Sequence, residues 1–367
     1  MISSHAPEQP KPELSSYLES EKKTSRLWPR LMAHLSTLTG PFRYSTPQTL
    51  APQKVSFEYS QRASPTRSTI YSDQASPAHQ GRIVAHYYHS PREDDVIAPL
   101  LVLIPGLGGS AFSPYMGWVA HRAGQLGYAT LALSHRGSGD SSPGYYHAGW
   151  YQDALHCVEH PSLVHHTRRL LAGFSLGGHI AGRLACAADA RGVYQSIFAC
   201  GAPLDLKATQ LHLDHHALPI YKRYLLANIK RVAHGLLLAS ARNELILSEE
   251  QREGLALSLN AKTIAEFDRY AIAKLLGYSS EEAYYEGESL TSYLSELHTS
   301  LTWAMNQYDP FITYSQLLQL PSHILTNPLF CSSLYQRGGH IYGHASGESA
   351  LPSAMNALFI WLRSRYE

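Results

Sequence analysis

Gly173-Phe174-Ser175-Leu176-Gly177 is a G-x-S-x-G run, a pattern that can present a nucleophile. In such a run the serine sits on a tight strand-to-helix turn, and the flanking glycines let strand and helix approach closely. The hydroxyl then points into open space as a nucleophile. A serine hydroxyl is protonated at neutral pH, so it needs a base, and the base needs an acid to fix its tautomer. On this kind of turn the partners follow in the order Ser, Asp or Glu, His. Asp309, in Asn306-Gln307-Tyr308-Asp309-Pro310-Phe311, and His340, in Arg337-Gly338-Gly339-His340-Ile341, meet that order. Asp205 is the rival acid and His344 the rival base. The N–H of Leu176 and that of Leu107, in the glycine-rich loop Pro105-Gly106-Leu107-Gly108-Gly109-Ser110, are the candidate oxyanion donors. The chemistry predicted is attack on an acyl carbonyl, an acyl-enzyme and its hydrolysis by water. It needs no metal and no organic cofactor.

Such side chains must be placed by strands and turns. Residues 100–104 read LLVLI and end in Pro-Gly, which fits a strand buried on both faces. Residues 129–134, 169–173 and 194–200 read as further strands, and 115–125 and 176–188 as helices between them. That alternation predicts an α/β architecture, a mostly parallel sheet with helices on both faces. Residues 55–60 and 82–89 read as two strands joined by a long loop. Between 204 and 296 helical stretches, such as 222–238 and 262–276, replace the rhythm, so this part is expected to be a helical cap insertion. Strands are expected again at 300–305 and 323–326, and a closing helix at 347–363. The division expected is therefore an N-terminal extension, 1–50, a core of 51–203 and 297–367, and the cap, 204–296. The extension is polar and expected to pack weakly, with one short amphipathic helix at 28–38.

Composition narrows the function classes. Among 367 residues, 30 Lys plus Arg balance 29 Asp plus Glu, and 44% of residues are hydrophobic. No basic field exists to hold nucleic acid. No apolar run approaches the ~20 residues of a membrane helix, so no integral membrane segment is expected. The four cysteines, Cys157, Cys186, Cys200 and Cys331, form no C-x-x-C pair and are expected to be buried free thiols. With a polar start unlike a secretory signal, this makes a cytoplasmic protein the expectation. The run His212-Leu213-Asp214-His215-His216 does not follow a catalytic metal motif and reads as a solvated cap segment or a cap-to-core contact. His156, His160, His165 and His166 read as surface residues. Arg136 is expected to steady its loop. Tyr221, Tyr224, Tyr270, Tyr284 and Tyr285 are candidates for core packing or for lining a substrate channel.

The segments PGLGGS, SHRGSGDS, GFSLGG, GAPLDL, TIAEFDRYAIAKLLGYSSEEAYYEGES, YDPF and RGGH, in this order, resemble family four of the alpha/beta hydrolases. This group holds the bacterial YheT-type hydrolases and related eukaryotic esterases and phospholipases. The likeness spans roughly residues 80–365, and the cap stretch 263–289 is its most specific part. It implies the alpha/beta-hydrolase fold, with the family's nucleophile on Ser175, its acid on Asp309 and its base on His340. It also implies small-molecule or lipid-derived esters as substrates. Two departures are visible: Pro105-Gly106 stands where the family has His-Gly, and Tyr308 where it has a second Asp. The same residues would serve an acyltransferase or thioesterase, and a non-catalytic binding protein on this fold is the alternative of another class.

Overall fold

The computed structural model describes residues 27–43, 51–61, 79–90, 98–343 and 353–366. Its centre is an eight-stranded sheet: β1 (Gln53–Gln61), β2 (His79–Tyr88), β3 (Leu100–Ile104), β4 (Ala129–Leu133), β5 (Arg169–Phe174), β6 (Ser196–Cys200), β7 (Ser300–Asn306) and β8 (Phe330–Tyr335). The spatial order is β1-β2-β4-β3-β5-β6-β7-β8. β2 pairs antiparallel with β1 and β4, and every other pairing is parallel.

Strand side chains alternate between two faces, and β3 shows both. Leu100, Val102 and Ile104 belong to one apolar cluster with Ile180, Ala181 and Leu184 of helix α4 (Leu176–Ala185). Leu101 and Leu103 belong to the other, with helix α2 (Pro114–Gln125) and the closing helix α13 (Ala354–Tyr366). This double burial is why β3 reads as an unbroken apolar run. A short helix, α3 (Gln152–His156), lies before β5.

Between β6 and β7 come α5 (Leu206–His215), α6 (Pro219–Ala241), α7 (Glu249–Ser258), α8 (Ile264–Phe267), a π-helical turn (Asp268–Ile272), α9 (Ala273–Leu276) and α10 (Glu281–Glu288). No residue from 204 to 296 is in a strand.

Several expectations change. The strand expected at 323–326 is a helical turn, α12 (Ser322–Leu325), following α11 (Ser315–Leu318). Pro321 sits at the N-cap and only Ile324 of the turn is buried. Four residues cannot separate the two periods. The edge strand is β8, whose FCSSLY sequence is mostly half-exposed and carries little apolar signal. Cys331, on β8, is exposed, unlike the three buried free thiols Cys157, Cys186 and Cys200. His166 is buried: its Nδ1–H donates to the Ala98 carbonyl at 2.7 Å, and its Nε2 accepts from the Tyr87 hydroxyl at 3.0 Å. The linker at 62–78, His344 and residues 347–352 of the expected last helix lie outside the described residues.

The largest change concerns the N-terminal segment. Helix α1 (Leu27–Arg43) does not lie loose; Ala33 and Ser36 are buried at 1% exposure. The helix expected at 28–38 lies within it, but the buried face is the one of small residues, which docks by close approach, and not the apolar face.

Candidate active site

Ser175 stands between the end of β5 and the start of α4, with φ +54° and ψ −122°. A non-glycine residue at positive φ is strained, and such strain is held only where the surroundings over-determine it. Here they do. A Cβ on Gly173 would lie 2.1 Å from the Gly177 carbonyl oxygen, and one on Gly177 would lie 2.2 Å from the Pro105 oxygen. The elbow and the Pro105–Ser110 loop therefore pack backbone to backbone.

That loop is held by two tyrosines that sequence reasoning missed. The Gly106 N–H donates to the Tyr115 hydroxyl at 3.0 Å, and the Gly108 N–H to the Tyr146 hydroxyl at 2.7 Å. Among the described residues no acceptor faces the N–H of Leu107 between them, nor that of Leu176. His135 stacks on Tyr146 with ring centroids 4.0 Å apart, and its Nε2–H donates to the Pro105 carbonyl at 2.8 Å. Burial holds the His135 imidazole at a pKa of about 4, so it is a neutral donor. No signal in the sequence distinguishes Tyr115 and Tyr146 from core tyrosines.

The structure brings Ser175, His340 and Asp309 together. His340 Nε2 lies 2.9 Å from Ser175 Oγ, and His340 Nδ1 lies 2.8 Å from Asp309 Oδ2 and 3.0 Å from Oδ1. A carboxylate only accepts, so the imidazole proton is on Nδ1 and the Nε2 lone pair faces the serine hydroxyl. Asp309 follows β7, and its side chain is fully enclosed. Its Oδ1 also accepts the N–H groups of Phe311, at 2.8 Å, and Ile312, at 3.2 Å. Phe311 stacks on the His340 ring at 4.4 Å. His340 comes from the loop after β8. The rival acid, Asp205, caps α5 by accepting the Ala208 N–H at 2.9 Å.

Ser175, Leu107 and Leu176 open onto one cavity of about 150 Å³, open in part to solvent and walled largely by apolar side chains such as Leu225, Ile229 and Phe311. A second apolar cavity adjoins it, and Leu107, Tyr146, Ile229, Phe267 and Ile272 line both. A sequence model of the alpha/beta hydrolase family matches residues 101–327. The chain belongs to that family.

Individual relatives carry related names. The chain is 28% identical over 276 residues, 73% of its length and 75% of the other, to YheT of Escherichia coli (strain K12), whose name proposes an esterase. It is 24% identical over 268 residues to the zebrafish (Danio rerio) monoacylglycerol lipase ABHD2, covering 70% of this chain and 60% of that one. It therefore spans about six tenths of that relative's length. Among solved structures, a Pyrococcus furiosus esterase, Pf2001, is similar with a TM-score of 0.45 at 12% identity, covering 81% of this chain and 90% of that one. No described helix is long and apolar enough to cross a membrane.

The remaining candidates of the sequence fall around this cavity. Tyr284 and Tyr285 line it, Tyr221 is buried against Phe311, and Tyr224 is exposed. His212 Nε2–H donates to the Pro310 carbonyl at 3.1 Å, and Asp214 accepts the N–H groups of Ile264 and Ala265. The run 212–216 thus ties α5 to α8 and to the loop of Asp309. Arg136 is buried, pairs with both oxygens of Asp153 at 2.9 and 2.5 Å, and lies 4.3 Å over the Trp150 ring.

Asp268, on the π-helical turn, lines the cavity and accepts from the Tyr285 hydroxyl at 2.7 Å. Burial raises its carboxyl to about 7, and the charges of Asp214 and Glu281 add to the rise. A carboxyl whose folded pKa lies above its unfolded value of 3.8 destabilises the fold as pH rises from about 4 to about 7. Replacing Asp268 with Asn, whose oxygen can keep the Tyr285 bond, removes this. The Tm advantage of the variant is expected to be near zero at pH 4, to grow up to pH 7 and to stay level above it. The full effect is on the order of 4 kcal/mol for a three-unit shift. An advantage that does not change with pH would contradict the assignment.

Proposed function

We propose that this chain is a serine hydrolase of carboxylic esters. Ser175 attacks the acyl carbonyl, His340 takes the hydroxyl proton and returns it to the leaving alcohol, and Asp309 orients the imidazole and stabilises its charged form. The N–H groups of Leu107 and Leu176 receive the oxyanion. Water, activated by His340, then releases the acid. The observation that carries this reading is the relay Ser175 Oγ, His340 Nε2, His340 Nδ1 and Asp309 Oδ2, with steps of 2.9 and 2.8 Å, opening on an apolar cavity. The cavity's character supports an apolar acyl group, and the names of the relatives agree with ester or lipid substrates. The test is a panel of nitrophenyl esters of increasing acyl length against the wild type and Ser175→Ala. Turnover that is the same in both refutes the proposal.

Ile229 stands where the two apolar cavities meet. Replacing it with Trp is expected to lower kcat/KM for acyl chains of eight or more carbons by about tenfold, while the acetyl ester is cleaved as before. One or two methylenes in an apolar pocket are already worth a factor of this size. Equal effects on short and long esters would show that the acyl chain does not run past Ile229.

A further inference from the structure

The loop that carries His340 is unusual in how it is held. Ile341, directly after the histidine, has φ +44°, a strained value for a β-branched residue. Gly338 has φ +117°, and a Cβ there would lie 2.7 Å from Asn306 Nδ2. On this side Asn306 clamps the loop: its Nδ2 donates to the Gly339 carbonyl at 2.7 Å and its Oδ1 accepts the Ala354 N–H at 3.0 Å.

The opposite side of the loop is held by α1. A Cβ on Gly339 would lie 2.2 Å from both the Ala33 oxygen and Thr37 Oγ1, so helix and loop touch backbone to backbone. The backbone N–H of His340 donates to Thr37 Oγ1 at 2.8 Å, and the same hydroxyl donates to the Ala33 carbonyl at 2.9 Å. A second route reaches the imidazole itself. His34 Nδ1 is 2.9 Å from the Tyr221 hydroxyl, Tyr221 packs on Phe311 at 4.8 Å, and Phe311 stacks on His340 at 4.4 Å. Helix α1 precedes the residues matched by the family model, 101–327.

We infer that α1 is part of the framework of the active site and that Thr37 is a positioning residue, which through the His340 N–H keeps the imidazole on the Ser175 hydroxyl. The inference rests on the hydrolase reading of Ser175 and His340. Without the Thr37 hydroxyl, the enclosed His340 N–H loses its acceptor and the strained loop loses one of its two clamps. A shift of 1 Å at such a base can cost on the order of 100-fold.

The experiment uses the full chain with Thr37→Val, Thr37→Ser and Gly339→Ala. It reads the rate at which a fluorophosphonate labels Ser175, and kcat and KM for nitrophenyl butyrate. Thr37→Val is expected to lower the labelling rate and kcat by roughly 10- to 100-fold with KM within about twofold, because the cavity is untouched. Thr37→Ser, which keeps the acceptor, is expected to stay within about threefold of the wild type. A folded Thr37→Val protein with wild-type labelling and kcat overturns the inference. If Thr37→Val does not fold, Gly339→Ala decides, because it pushes the same junction apart from the loop side; a wild-type kcat there overturns the inference equally. A wild type that is not labelled at Ser175 sinks the hydrolase reading, whereas a labelled wild type beside an unaffected variant sinks only the role of α1.

Discussion

Ser175→Ala is expected to lower kcat by roughly 10⁶-fold and to abolish fluorophosphonate labelling, with KM and Tm close to the wild type. The size follows from the loss of the covalent route: when the nucleophile of such a triad is removed, what remains is the residual catalysis of a bound, oriented substrate. Nothing in the packing opposes the change. The Ser175 side chain touches the His340 ring and the cavity, and the turn is fixed by backbone contacts at Gly173 and Gly177 rather than by the hydroxyl. Esterase turnover that survives in purified Ser175→Ala would mean that the nucleophile is elsewhere.

The second large effect is expected of Asp309→Asn, and here the surroundings dictate the direction. Oδ1 of Asp309 accepts two backbone N–H groups, from Phe311 and Ile312. In the amide that position must stay the oxygen, so the NH₂ group takes the place of Oδ2 and faces His340 Nδ1, 2.8 Å away. A donor there forces the imidazole proton onto Nε2. His340 then meets the Ser175 hydroxyl as a donor and cannot take its proton. A fall in kcat of about 10⁴-fold at pH 7 is expected, with Tm nearly unchanged because every backbone bond to the side chain survives. Rates within tenfold of the wild type would remove Asp309 from the relay. Asp205, engaged as the cap of α5, offers no substitute.

What the sequence made legible and what it hid have distinct physical causes. β3 and β5 are readable because strands buried on both faces leave continuous apolar runs. The elbow is readable because only glycine fits at Gly173 and Gly177, where a Cβ would enter backbone oxygens. Asp309 and His340 could be picked out because the chain order expected after such an elbow leaves few positions between the strand at 300–305 and the closing helix. β8 itself is hidden: an edge strand with half-exposed serines resembles a loop. The supports of the Pro105–Ser110 loop are hidden because a tyrosine that bonds a backbone N–H looks like one that fills a core. Hidden too is the docking of α1. It presents Ala33, Ser36 and Thr37 inward and Leu31, Leu35 and Leu38 outward, the reverse of the polarity expected of a surface helix.

The bond from Thr37 to His340 also ties together residues 303 positions apart. On the ribosome the helix leaves the exit tunnel long before the histidine loop exists, so it must wait about 300 residues of synthesis for its partner. Until residue 340 emerges, the nascent chain has no imidazole to set beside Ser175, so the Ser175–His340–Asp309 relay cannot assemble earlier.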